Sequence, residues 1–200
     1  MIVVIGRPAL RSSVRSGETT ETAAGTAAAV AVAAAHTGAR VELVGSIGDD
    51  GEGDRIVVLL GRARVGHATL IRDPAARTPG EGEERGPMPR LDGADIELGL
   101  RYLADIRVVV IAEPLSADAM SETLAAATYH GAGVIAVVPH GGAATPELAE
   151  AATVLEAPAG AVGPFAEMVG RFATALDSGT DAAQAIADAA RAAGWESAAG

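Results

Sequence analysis

Two strand-like apolar runs end in residues that could do chemistry. "RVVVIAEP" carries Glu113 directly after the run and before Pro114, and "GVIAVVPHGG" ends in His140, Gly141 and Gly142. The C-terminal ends of successive strands are where open α/β sheets bind ligands. There a carboxylate accepts from hydroxyls, and an imidazole followed by two flexible backbone N–H donors can meet an anion. A third stretch, "VELVGSIGDDGEGDRIVVLL", passes from a strand through a glycine- and aspartate-rich turn into a helix, a layout that suits either holding a ligand or holding the chain. His36, His67 and His130 fall in helix ends or turns without ligand-like spacing, so no metal is expected. Glu81, Glu83 and Glu84 read as a solvated charge run, and Trp195 after Gly194 as a packing residue.

Elements that could position these groups alternate along the chain. Strands are expected at Met1–Ile5, Val41–Val44, residues 65–71, 107–112, 133–139 and 153–155. Helices are expected at Thr22–Ala35, Gly53–Ala63, Ile96–Leu103, Ser116–His130, a short "TPELAEA", Gly163–Asp177 and Asp181–Ala193. Continuous apolar strands alternating with helices imply a parallel sheet covered on both faces. The fold class is therefore a single α/β domain over residues 1–200, a three-layer α/β/α sandwich with a mainly parallel sheet. Residues 73–93 are dense in proline, glycine and charge, so a flexible segment is expected there.

Composition excludes several functions. With no cysteine there is no disulfide, thiolate metal site or cysteine nucleophile. All 15 cations are arginine, which removes Schiff-base chemistry and a phosphate-loop lysine. A formal charge of -11 argues against nucleic acid and anionic membranes as partners. No apolar run nears the ~20 residues that cross a bilayer, and "MIVVIG" lacks the features of a signal peptide, so a cytoplasmic protein is expected. The "GRP" turn after the first strand lacks a dinucleotide fingerprint.

Residues 23–66 resemble the N-terminal signature of the ribokinase-like (PfkB) sugar and nucleoside kinases, in which a G-G-x-x-x-N-x-A helix start leads to "LGA" and then to "VGxVGDDxxGxxLxxxLxxxGV". Gly25, Ala31, Gly38, Ala39, Val44, Gly45, Gly48, Asp49, Asp50, Gly53, Leu60, Gly61 and Val65 stand at matching positions. "VVVIAEPL" and "GVIAVVP" are similar to later strand segments of that family. The resemblance implies a ribokinase-like fold in which "GDD" is architectural: glycines make the turn and aspartate caps the next helix. It also implies that Glu113 faces the phosphate site.

Position by position, the chemistry of that family is missing. Arg11 stands where the sugar-gripping aspartate is needed, Ala24 at the first glycine of the pair, and Ala29 at the asparagine. The catalytic G-A-G-D motif is best matched by Gly160, Ala161, Val162 and Gly163, which puts glycine at the position of the base. In a second register "TVLEAP" precedes the mid-chain N-x-x-E motif, and the nucleotide half is absent altogether. Either way the resemblance implies a short, degenerate relative, with 73–93 expected in place of the lid strands.

Three readings follow. In the first, the chain has lost kinase chemistry and binds a small, sugar-like ligand or a protein partner, with Gly25, Glu113, His140 and Gly141 as contacts and no cofactor. In the second it is an active kinase using ATP and Mg²⁺, with Glu113 or Asp177 as substitute base. In the third it is a structural subunit. The small-residue helices point to a homodimer.

Overall fold

Runs such as Ile2–Ile5 (β1) and Val108–Ile111 (β6) carry no polar side chain on either face, so water cannot cover them. The computed structural model, which describes residues 1–82, 86–160 and 162–194, buries every residue of both. Six strands form one sheet in the order β5-β4-β1-β6-β7-β8, where β4 is Val41–Gly48, β5 Leu70–Asp73, β7 Gly133–Val138 and β8 Thr153–Glu156. Every neighbouring pair is parallel, with Ile2 opposite both Val41 and Val108.

Alternation within β1 divides the core. Ile2 and Val4 face one side, which is covered by α1 (Gly25–His36), α2 (Gly51–Arg62), α6 (Val162–Asp177) and α7 (Ala182–Ala192). Val3 and Ile5 face the other, covered by α3 (Gly93–Arg101), α4 (Ala117–His130) and α5 (Pro146–Ala151). This is the expected three-layer sandwich. Helices α1 and α6 touch closely, because a Cβ on Gly170 would lie 2.8 Å from that of Ala33. No described helix is long and apolar enough to cross a membrane.

Three local expectations need correcting. Helix α1 starts at Gly25 rather than Thr22, because Thr22–Ala24 close a strand. The strand expected at 65–71 lies at Leu70–Asp73, with only Gly66 bridging to Glu42 ahead of it. The third difference is an antiparallel hairpin, β2 (Ala9–Arg15) and β3 (Glu18–Ala24), where no element is expected. Its tip, Ser16–Gly17, has φ of 54° and 82°, the two positive angles that tight hairpin turns use. Residues 11–15 are exposed, so no hydrophobic alternation marks the strand in the sequence. Trp195, Ala161, Glu83 and Glu84 lie outside the described residues.

The "GSIGDD" turn holds the chain. Asp50 caps α2 by accepting from the Gly53 N–H (2.8 Å), and it also accepts from the Thr78 N–H (2.9 Å) and hydroxyl (2.6 Å). The Thr78 hydroxyl in turn accepts from the Gly48 N–H (3.0 Å). Gly48 has no room for a side chain, because a Cβ there would sit 2.5 Å from the Thr78 nitrogen. Part of the 73–93 segment is thereby fastened to the turn, with Thr78 itself fully buried. Its continuation pairs with the hairpin: Leu10 N–H donates to Pro79 O, and Glu81 N–H to Leu10 O.

Burial pushes the Asp50 carboxyl upward, but hydrogen bonds from Thr78 and Gly53 outweigh it, and the group lies below the usual carboxylate range. Removing the side chain takes away a cap and orphans buried donors. Asp50→Ala is therefore expected to cost roughly 2–4 kcal/mol in urea unfolding. Asp50→Asn, which keeps an oxygen for the cap, should cost less. A loss for Asp50→Ala below ~1 kcal/mol, the value of an ordinary cap alone, would show that the Thr78 tie contributes nothing.

Candidate functional site

All the sheet strands run the same way, so their C-terminal ends collect on one edge, and the residues expected to function lie along it. Arg7 follows β1, Glu113 follows β6, His140 and Gly141 follow β7, and Gly160–Gly163 lead from β8 into α6. Gly25, at the first residue of α1, has φ +75°, and a Cβ there would approach the Ala9 nitrogen (3.5 Å) and the Arg7 carbonyl (3.6 Å). These are ordinary contact distances, and it is the positive φ that favours glycine. Ahead of it, Ala24 gives α1 no side-chain cap, and no acidic residue stands in the first turn.

Glu113 is brought together with a residue that sequence reasoning passed over. Arg7 Nη1 donates to Glu113 Oε1, and Arg7 Nε donates to the Pro89 carbonyl (2.6 Å). Both side chains are mostly buried. Burial pushes the Glu113 carboxyl up; the Arg7 charge and hydrogen bonds pull it down without cancelling the rise. The available signal for Arg7 is its place in "GRP", a cation directly after a buried strand on the same edge as a carboxylate.

His140 and Gly141 do meet an anion, and it is the protein's own. Glu156 Oε1 lies 3.0 Å from His140 Nδ1 and accepts from the Gly141 N–H at 2.8 Å. These three residues close the β7–β8 edge.

Helix α6 begins at Val162 with no acidic residue in its first turn. Gly163 is exposed, and a Cβ on it would meet nothing within 4 Å; the same holds for Gly160. The helix start therefore has space for a carboxylate but holds none. Asp177, at the far end of α6, accepts from the Met1 ammonium (2.7 Å) beside the start of β1. It lies at the opposite edge of the sheet and cannot serve the site as a base. Arg11 projects from the hairpin into an exposed ion pair with Glu81. Among the described residues no three histidines, aspartates or glutamates gather as metal ligands would.

Known proteins can now be set beside this geometry. Residues 1–86 match the pfkB family carbohydrate kinase model. That region spans β1, the hairpin, α1, the "GDD" turn and β5, the part of the pfkB-like fold carrying the sequence signature. No curated protein sequence matches the chain. Among solved structures, phosphofructokinase-2 from Escherichia coli in complex with substrates and products superposes with a TM-score of 0.66 at 15% identity, covering 96% of this chain and 91% of that one. The tetrameric inhibited form of the same enzyme gives 0.66 at 15%, covering 96% and 92%. A protein assigned as a ribokinase from Agrobacterium tumefaciens gives 0.63 at 17%, covering 96% and 89%. At such identities the likeness is one of fold.

Titration of the strand-edge and α4 carboxylates should separate in opposite directions. Asp118, in the first turn of α4, accepts hydrogen bonds from Ser116 and from the Gly93 N–H (2.8 Å), which lower its pKa to about 2. Its stabilising contribution is full above the ordinary aspartate value and is lost as pH falls through about 2. For Glu113 the sign reverses: the folded state holds the proton more tightly, so its contribution is full below the ordinary glutamate value and lost as pH rises through the raised one. Carboxyl-carbon NMR titration checks both. A Glu113 midpoint at or below that of an exposed glutamate would contradict the burial argument.

Proposed function

We propose that this chain is a ribokinase-fold protein that has lost sugar-kinase chemistry and acts in the cytoplasm by binding a small ligand. The observation that carries this reading is the start of α6. Phosphoryl transfer to a hydroxyl needs an acceptor for its proton beside the transferring phosphate, and Gly163 supplies none. Coverage of nine-tenths of the superposed kinases supports the register that places α6 on the catalytic helix. The ligand-side losses agree with it: Arg11 is engaged with Glu81, and the Ala29 side chain has no polar atom. Among the described residues, the first turn of α6 carries no acidic residue that could accept the hydroxyl proton or hold Mg²⁺.

One observation favours the alternative of an active sugar or nucleoside kinase. Glu113 is a carboxyl with a raised pKa at the strand edge, the kind of group that can accept a proton. The two readings differ in rate. General-base assistance is worth ~10²–10⁴, so purified protein is expected to give no measurable ATP-dependent phosphorylation of ribose, fructose or adenosine. Gly163→Asp alone is not expected to restore it. Turnover of any of these alcohols, abolished by Glu113→Gln, would overturn the lost-chemistry reading.

ATP should likewise leave thermal stability unchanged, whereas a bound ligand at a hundredfold its Kd adds ~2.7 kcal/mol. A homodimer, with a purely structural role as its extreme form, belongs to the same proposal; exposed Tyr102, Tyr129 and Leu98 support it. A monomer by light scattering at micromolar concentration would count against the dimer.

A further inference from the structure

We infer that the cleft between α4 and α5 is a binding site for a small hydrophobic amine. This names a ligand class for the ligand-binding part of the function proposed above, and it does not depend on whether phosphoryl transfer is lost. The cleft measures about 400 Å³ and opens beside the ends of β6 and β7, within the ~300–1,000 Å³ usual for small-molecule sites. Its walls are apolar: Ile111, Leu115, Met120, Val138 and Leu148 line it, closed by Pro139. Such walls favour a ring or branched chain of a few carbons over a sugar, whose hydroxyls would find few partners there.

Charge decides which head group the cleft accepts. The polar lining consists of Ser121, Thr145, Glu113 and Glu147, with no arginine or histidine. Arg7 is committed to Glu113 and Pro89, and it does not line the cleft. Glu147 is exposed and takes part in no ion pair among the described residues. Two helices start at the rim, and free helix N-termini would attract an anion, but each carries an acidic residue in its first turn, Asp118 in α4 and Glu147 in α5. Asp118 supplies an ionised carboxylate at α4, and Thr145 Oγ1 accepts from the Leu148 N–H (3.3 Å) at α5. Among the described residues, a phosphate or carboxylate ligand would meet Glu147 and no free cation, because the only arginine close to the lining, Arg7, is already paired with Glu113. An ammonium group meets the Glu147 carboxylate favourably while its apolar body fills the cleft.

The test compares tryptamine with indole-3-propionate, which share a ring and differ in the sign of the head group, by amide chemical shifts of the full chain. Tryptamine is expected to saturate, shifting residues of the α4 and α5 starts, and to bind at least about tenfold tighter than the propionate, a gap of ~1.4 kcal/mol. Ser121→Trp, at an exposed rim position, should abolish binding without changing the melting temperature, and Glu147→Gln should narrow the preference. Should Ser121→Trp fail to fold, Ala143→Trp blocks the same rim. Equal or tighter binding of the propionate, no saturable binding of tryptamine at millimolar concentration, or binding that survives a folded rim variant would each overturn the inference. Sugar phosphorylation by the wild-type protein would sink the lost-chemistry reading and leave this site standing.

Discussion

The Asp50 carboxylate, at the join between β4 and α2, is the contact on which the strand-edge geometry depends. It gathers the first turn of α2 and both donors of Thr78, and Thr78 in turn accepts from Gly48. Each of these bonds is modest alone. Together they fasten the segment after β5 to the sheet, and that segment carries the rest. Pro79 and Glu81 pair with Leu10 at the base of the hairpin, and Pro89 receives the Arg7 guanidinium. A two-stranded hairpin is marginal by itself in water. Here its buried base, Ala9, Leu10 and Ala24, and the pairing at Leu10 hold it to the domain. Arg7 reaches Glu113 from a position steadied by the same segment.

The sheet contributes the other constraint. Parallel pairing forces every strand to end on one edge, so Arg7, Glu113 and His140 lie along it from elements far apart in the chain. At two places on that edge the charges are already answered from within: Arg7 meets Glu113, and Glu156 meets His140 and the Gly141 N–H. A ligand arriving there must compete with these contacts or use what they leave. The open start of α1 and the apolar cleft beside α4 and α5 are what they leave. At these two places, then, the polar groups of the strand edge are bound to one another.

Much of this was legible beforehand, because the central strands β1, β6 and β7 are local apolar runs that have to be shielded from water. The layers, the parallel sheet and the cap at Asp50 all follow from residue type and short-range spacing. The hairpin did not follow, because β2 and β3 expose most of their residues and carry no period-2 apolar pattern. Only the Ser16–Gly17 turn between Val14 and the threonines of β3 hinted at it. The register from Ala9–Ala24 to Arg15–Glu18 is set by the two-residue turn, and the base of the hairpin is held by residues seventy positions later.

By itself, then, the sequence determined the α/β layering and which chemical groups are present or missing. Hydrophobic burial and helix capping act over a few residues and leave their mark in residue type. Tertiary structure alone decided which charges meet. Arg7 and Glu113 are separated by 106 positions, and His140 and Glu156 by a helix, so no spacing rule pairs them. The same holds for Asp177, which the sequence left available as a base and the fold sent to the Met1 ammonium at the opposite edge. An electrostatic pairing depends on distance in space, and that distance is set only when the sheet closes.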